Sequence, residues 1–523
     1  MDFNVTILPT FDVRWTVSVD RKMAFLSLLL LGQALLILAL VLRIFYRLTL
    51  HPLSRFPGPR FAAVTNLYAV YYDLLSEDSL VKHLKALHDK YGPIVRVRPH
   101  ELHVFDWDAY RTVFKSGSDF NRAPEFYNAP MVDGSFLNVS DGRVAKPHRD
   151  LFVQAFSKAQ INGLEPLMHE KVDLFLRRLK EEAGQNESID LVLAFECLTA
   201  DVTMYYCYQM SLGLLDVPKF RAKLILEFHE FGSITPFFWY FPTIGNVLNK
   251  VIFSLLPETA VRLCFPSVAS MKEVMDQCKD LIDSLSRAPP DSKEVASSIF
   301  RNALSPDREK GQYIATPTEL AADAVLMFLA GTDTTAHALS FGTWEMIKRP
   351  EIWTRLRQEV MSVLPETQGL ARLADLENLP FLRGVVKESL RFSMGTSARL
   401  HRIVPERGAV LCGETVAPGT RVSFSHYVYN NDPAIFLDPF SFKPERWLEP
   451  NADELERHMV SFSRGSRSCI GMNLAYAELY ATFAHLARRF DLVNDGTTDE
   501  MMDWKDSYTP SFKGSLRVKP RAC

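Results

Sequence analysis

Phe462-Ser463-Arg464-Gly465-Ser466-Arg467-Ser468-Cys469-Ile470-Gly471 is the stretch that decides how this chain is read. A lone cysteine sits in a loop with glycine on either side and two arginines upstream. A helix-forming run follows at once, with Met472, Leu474, Ala475, Ala477, Glu478 and Leu479. Cys469 is therefore expected near the positive N-terminal end of a helix, where a thiolate is favoured over a thiol. Backbone N–H groups in such a loop point at the sulfur and tune its basicity. Gly465 permits a tight turn, and Gly471 permits close backbone approach to a flat ligand.

A thiolate presented in this way is what a haem iron needs as axial ligand when oxygen is to be activated. At these residues the chain resembles the cytochrome P-450 superfamily, the haem-thiolate monooxygenases. Their cysteine signature places Phe, Gly, Arg, Cys and Gly at fixed spacing, and Phe462, Gly465, Arg467, Cys469 and Gly471 match it throughout. The plain alternative, an inert cysteine in a glycine loop, does not account for that match. The resemblance implies heme b held through the Cys469 thiolate, with O2 and NADPH-derived electrons as co-substrates.

The chain has 523 residues, 47% hydrophobic and 23% charged, an ordinary globular composition. A net charge of −3 argues against a general polyanion binder. There is no zinc-type cysteine pairing and no basic repeat, so no nucleic-acid partner is expected. The seven cysteines are scattered and odd in number, which suits a reducing compartment better than a disulfide framework.

Residues 23–42 read MAFLSLLLLGQALLILALVL, with only Ser27 and Gln33 polar, about the length that spans a bilayer core. A cleaved signal peptide is the rival, but the run is long and no small-x-small cleavage site follows it. The charge balance on the two sides orients the span only weakly. The resemblance adds more. Microsomal fungal members carry an anchor, then a His-Pro-Leu segment, then a Pro-Gly-Pro hinge, here His51-Pro52-Leu53 and Pro57-Gly58-Pro59. It implies residues 1–22 as a lumenal tail, 23–42 as a single-pass anchor in the endoplasmic reticulum membrane, 43–60 as a basic proline-rich hinge and 61–523 as a cytosolic catalytic domain. Asn4-Val5-Thr6 is then a possible lumenal glycosylation sequon.

Thr316-Pro317-Thr318-Glu319 is a capping box with proline at the first helical position. The chain is helix-compatible from there to Arg349, where Pro350 stops it. Its apolar centre holds Ala330-Gly331-Thr332-Asp333-Thr334-Thr335. Gly331 weakens the helix and lets a flat ligand approach the backbone. The hydroxyls compete for carbonyls and promote a local bulge. A buried carboxyl beside a hydroxyl is a proton relay, with Asp333 as proton supplier and Thr334 as the hydroxyl that steadies the oxygen being activated. The alternative is a polar helix break with Asp333 salt-bridged at a surface. The segment fits the superfamily's oxygen-activation motif throughout.

Glu388 and Arg391 stand at i and i+3 on one helical face. In the superfamily this pair joins an arginine of a Phe-x-Pro-Glu-Arg segment, here Arg446, in a buried structural triad. The resemblance also implies that arginines meet the haem propionates from three places. These are Arg467 in the cysteine loop, Arg402 on the strand after the Glu388 helix, and Arg149 on an earlier helix. Ala145 stands where that third motif usually has Trp or His, and His148 and Lys146 are possible substitutes for the contact.

The fold implied is mainly α with a small, largely antiparallel β region, the cytochrome P-450 fold, preceded by one transmembrane helix. Residues 167–179, 321–347 and 474–490 read independently as long helices, and residues 91–102 resemble the family's N-terminal strand pair. Glu388 to Pro405 is similar to fungal secondary-metabolite enzymes related to trichodiene oxygenase. The resemblance thus implies a monooxygenase partnered by NADPH-cytochrome P-450 reductase, with Arg464 and Lys443 among the candidate contacts. Its substrate is a small lipophilic molecule, terpenoid or polyketide-terpenoid. The alternative is a reductase-independent haem-thiolate isomerase or lyase. The resemblance implies, by family position, an apolar pocket lined by residues 126–136, 237–240, 328–329, 396–398 and 510–512. The aromatic loop 236–242 has a second reading, as an anchor dipping into the bilayer.

Overall fold

The computed structural model describes residues 14–127, 132–184, 187–289, 292, 295, 298–307, 309, 311–364 and 369–522. The Asn4 sequon lies outside them. The long helix, Pro317–Lys348, spans 32 residues and is the axis of the molecule. Its capping box is complete, with Glu319 N–H donating to Thr316 Oγ1 at 3.2 Å and Thr316 N–H donating to Glu319 Oε2 at 2.8 Å. At the other end Pro350 brings no N–H to continue the ladder.

The expected bulge is absent, because the helix runs without a break through Gly331–Thr335. The hydroxyls of Thr332 and Thr334 donate to Phe328 O and Ala330 O, each at 2.8 Å. A carbonyl has two lone pairs, so these bonds add to the helical ladder rather than displace it.

Helix Leu191–Tyr208 lies alongside, buried at every residue but Tyr205. Thr199 Oγ1 donates to Thr332 O at 2.7 Å across the contact. A Cβ on Gly331 would stand 2.5 Å from Thr203 Oγ1. The ligand-approach role expected of Gly331 is therefore replaced by a packing one: its missing side chain admits the neighbouring helix. Helices Glu165–Gly184 and Met472–Arg489 contain the other two stretches read as helical, except Phe490, which begins a strand, and complete the main core.

The principal sheet has the spatial order Ile94–Arg98, Glu101–Val104, Arg421–Ser425, Arg399–Ile403, Asn121–Arg122. All its pairings are antiparallel except Glu101–His103 against Arg421–Ser423. A second core around Tyr110, Val422, Phe424 and Tyr429 backs it.

At the N-terminus a helix covers Arg14–Phe45 and passes into a π turn, Tyr46–Leu50. Met23–Leu50 is long and apolar enough to cross a membrane, and every residue of it but Arg47 is exposed. Residues 43–50, expected in the hinge, are thus helical, and the extended part is shorter. That part is not free. Leu53 and Phe56 are buried, and Arg96 N–H donates to Pro57 O at 2.8 Å. Gly58 lies so close to the sheet that a Cβ would meet Arg96 O at 2.4 Å. We expect Gly58→Ala to push the segment off the strand at a cost of about 1–3 kcal/mol. Thermal unfolding and proteolysis between residues 51 and 60 check this; an unchanged Tm with no new cleavage would show that the contact is slack.

Candidate functional site

Glu388 is wholly buried on helix Pro380–Ser393. Arg391 donates to it through Nε at 3.1 Å and Nη2 at 2.9 Å, and Arg446 through Nε at 3.0 Å. Trp447 Nε1 at 2.9 Å and Lys443 N–H at 3.0 Å fill its remaining lone pairs. Such completeness is what lets a buried carboxylate stay ionised. Burial raises its pKa, but Arg391 and then Arg446 outweigh burial and hold it below 4.5.

The network leads on to the cysteine loop. Arg391 Nη1 donates to Asn430 O at 2.9 Å, and Asn430 Oδ1 accepts from Val460 N–H at 3.0 Å. Ser461 Oγ donates to Leu390 O at 2.7 Å. The loop then closes on itself through Cys469 N–H to Phe462 O at 2.9 Å. Gly465 has φ +70°, and a Cβ there would lie 2.2 Å from Phe114 O, so glycine is required twice over. Phe462 packs against Tyr476 at 5.4 Å.

Cys469 is exposed, the one residue of the loop 461–470 that is. Burial raises its pKa, and the Gly471 N–H and the Arg149 guanidinium pull it down without overcoming burial. The expectation that the helix end alone favours the thiolate is therefore corrected. Cys469 precedes the first turn of Met472–Arg489, and in this loop by itself the thiol is the favoured form. A Cβ on Gly471 would meet only Cys469 Sγ, at 3.9 Å.

Arginines crowd one side of this loop. Arg149 Nη2 donates to Ser468 O at 3.0 Å. Arg467 donates to Phe136 O at 2.9 Å and Val139 O at 2.7 Å. Arg402 donates to Tyr127 Oη at 2.8 Å and lies 4.6 Å over the Phe114 ring. Arg122, which the sequence reading passed over, is its register partner on the neighbouring strand. Like charges placed opposite one another destabilise a sheet. Among the described residues Arg122, Arg402 and Arg467 have no carboxylate partner. Burial, then Arg122 and Arg402, push Arg467 down to about 9. The proposed substitutes are committed elsewhere. His148 Nε2 pairs with Asp323 Oδ2 at 2.7 Å, both buried, and Lys146 Nζ pairs with Asp150 at 2.5 Å.

From Ala322 to Met346 the long helix is buried except at residues 329–331, 333 and 334. Asp333 is no surface salt bridge. Its Oδ2 accepts from Thr509 Oγ1 at 3.1 Å, and its Oδ1 is buried without a partner. Burial, then Glu196, push it up to about 7. Thr334 donates to its own helix, so the two side chains are neighbours with no hydrogen bond between them.

A family model for cytochrome P-450 matches residues 57–517. The chain is a cytochrome P-450. Cytochrome P-450 monooxygenase aflU of Aspergillus parasiticus is 33% identical over 491 residues, covering 93% of this chain and 96% of its own. The monooxygenase TRI4 of Trichoderma arundinaceum is 32% identical over 489 residues, covering 91% and 93%. The monooxygenase ankB of Aspergillus thermomutatus is 31% identical over 523 residues, covering 97% and 98%.

This P-450 is thus a monooxygenase of a family whose haem iron takes a cysteine thiolate. Its residues fit that group. The accessible sulfur of Cys469 is a soft donor, and the guanidiniums of Arg122, Arg149, Arg402 and Arg467 form a cradle suited to a dianionic edge.

Of the expected pocket, residues 128–131 lie outside the described part. Phe126 tilts over Trp239 at 4.9 Å, and Phe512 packs on Phe341 at 4.7 Å. Trp239 and Tyr240 are buried, and Arg399 Nη2 donates to Tyr240 Oη at 3.0 Å. This corrects the bilayer reading of residues 236–242 for those two side chains.

Glu388→Gln should cost the P-450 roughly 3–5 kcal/mol, the scale for breaking a buried pair. Glu388 is held below its ordinary 4.5, so its contribution is complete above pH 4.5 and lost as the pH falls through the lowered value. Urea unfolding of both proteins between pH 7 and pH 3 measures it. Equal stabilities at pH 7 would refute the structural weight given to the triad.

Proposed function

We propose that this P-450 is a membrane-anchored monooxygenase of fungal secondary metabolism. It hydroxylates, epoxidises or further oxidises a lipophilic terpenoid or polyketide-terpenoid intermediate. Supporting this reading is one observation above all: the accessible turn in the buried length of the long helix is the turn that carries Asp333 and Thr334. An isomerase or lyase has no use for an acid and an alcohol at that place.

Haem held by Cys469 supplies the iron at which O2 is reduced. The rest falls to the protein. Arg122, Arg149, Arg402 and Arg467 fix the orientation of the group by charge-assisted hydrogen bonds. Asp333, half-protonated near neutrality, is poised to release and regain a proton. Thr334 Oγ1 gives up its bond to Ala330 O to orient that proton's acceptor. The apolar side chains of Phe328, Phe126 and Phe512 keep bulk water out.

Electrons come singly from an NADPH-dependent reductase. Arg464 remains a candidate contact, whereas Lys443 is paired with Asp438 at 2.6 Å. Met23–Leu50 anchors the protein in the endoplasmic reticulum with the catalytic domain in the cytosol. Helix Pro242–Leu255 adds Ile244, Val247 and Leu248, all exposed, as an apolar face for lipid. Both features suit a substrate that arrives from the membrane.

The reduced protein in membranes should give a strongly red-shifted Soret band with carbon monoxide, lost in Cys469→His. A folded, haem-loaded wild type without that band would dismiss Cys469 as the ligand. With a substrate in hand, Thr334→Ala and Asp333→Asn should each divert most NADPH from product to peroxide or slow its use, by roughly ten- to a hundredfold. Undiminished coupling in both would remove the relay from the mechanism, and turnover under argon without NADPH would establish the isomerase or lyase instead.

A further inference from the structure

Behind Asp333 lies a group of buried titratable side chains that the reaction proposed above does not use. Glu196, on helix Leu191–Tyr208, is wholly buried. Its Oε1 is 2.7 Å from His229 Nε2, and its Oε2 has no partner within the protein. His337, one turn along the long helix from Asp333, is buried with Nδ1 unpartnered. A carboxylate oxygen of Glu196, one of Asp333 and a ring nitrogen of His337 lie within 4.8 Å of one another.

Three side chains, two of them buried and Asp333 partly so, each with a buried atom lacking a partner, make an unusual convergence, because such atoms cost free energy when unmet. The span is too wide for direct contact throughout and within reach of one bridging water, which covers about 5.6 Å with two hydrogen bonds of ordinary length. A buried water takes two to four polar partners, and these three side chains offer them.

The cluster reaches solvent at His229. His229, on helix Lys223–Ser233, is 39% exposed at its side chain and touches solvent and Glu196 at once. Glu196 holds it protonated up to about pH 9. The groups that act on the cluster come from every element around it. Glu196 belongs to helix Leu191–Tyr208, Asp190 to the strand Ile189–Asp190 that precedes and caps it, His229 to a second helix, Asp333 and His337 to the long helix, and Thr509 to strand Thr509–Phe512.

We propose that His229 and Glu196 form the inlet through which solvent protons reach Asp333, linked by one water held among Glu196, Asp333 and His337. This rests on the role given to Asp333 above. The imidazolium Nε2–H passes its proton to Glu196 Oε1, and the carboxyl turns. Its O–H then protonates the water, which releases a proton to Asp333 Oδ1. Solvent restores the proton on His229. One proton moves inward per cycle, and no electron or co-reactant is consumed.

The inlet is tested in full-length protein carrying Glu196→Gln, His229→Gln or Asp333→Asn, each retaining the reduced carbon monoxide band. The His229 ring, followed by NMR, should titrate well above 6.5 in the wild type and fall to that value or lower in Glu196→Gln. With reductase, NADPH consumption should slow roughly tenfold in both inlet variants, with a larger solvent deuterium isotope effect. A purely structural role would leave that isotope effect unmoved. Slow consumption in Asp333→Asn with wild-type rate and isotope effect in both inlet variants would overturn the inlet and leave Asp333 in place. Wild-type behaviour of Asp333→Asn would instead overturn the role of Asp333 itself. An ordinary His229 titration in the wild type, or a stoichiometric divalent cation lost in Glu196→Gln, would also refute the inlet, the latter by making the cluster a metal site.

Discussion

Two guanidiniums close on one carboxylate at Glu388 where no water reaches, and a charge in that position tolerates no slack. Every lone pair of Glu388 is met, so Arg391 and Arg446 are fixed in direction as well as in place. Arg391 then fixes Asn430, which fixes Val460 N–H, and the loop that carries Cys469 follows from there. The chemistry depends on a sulfur held at one spot in a loop, and loops lack the periodic hydrogen bonds that stiffen helices and strands. Here the stiffness is borrowed from ion pairing in the interior.

The same economy governs charge around the sulfur. Arg122 and Arg402 face each other across a strand pair, an arrangement that disfavours folding by itself. Backbone carbonyls and the Tyr127 hydroxyl relieve part of the repulsion. The remainder is uncompensated positive charge, so under the proposed role of these arginines the same residues would serve stability and cofactor binding.

Much of this was legible in the sequence because it is written locally. The capping box at Thr316, the stop at Pro350 and the cysteine loop depend on neighbours in the chain, and each stands where the spacing placed it. The triad was legible because its partners belong to recognisable segments. Apart from the bulge, which failed locally because the threonine hydroxyls share carbonyls with the helical ladder, the failures depend on what comes from elsewhere in the chain. Gly331 serves a helix that begins at Leu191, and that helix shows no amphipathic period because it is buried nearly all round. Arg122 lies on a strand of two residues, too short to show alternation. Its one signal was the Asn121-Arg122-Ala123-Pro124 stretch between helical segments. Glu196 could be suspected only as an acid inside the apolar run 191–198, without its partners His229 and His337. The thiolate expectation at Cys469 misjudged a balance of burial against one N–H and one guanidinium, which sequence does not quantify.

The segment after the N-terminal helix sets a mechanical condition on the whole molecule. Arg96 reaches back to Arg47 O at 2.8 Å, and Gly58 lies against the same arginine's carbonyl. The end of the helix, the proline segment and the first strand are therefore one stiff part, more a bracket than a tether. With this helix in a bilayer, as proposed, any tilt of the helix would be passed to the sheet, and lipid thickness would bear on which face of the catalytic body meets the membrane surface.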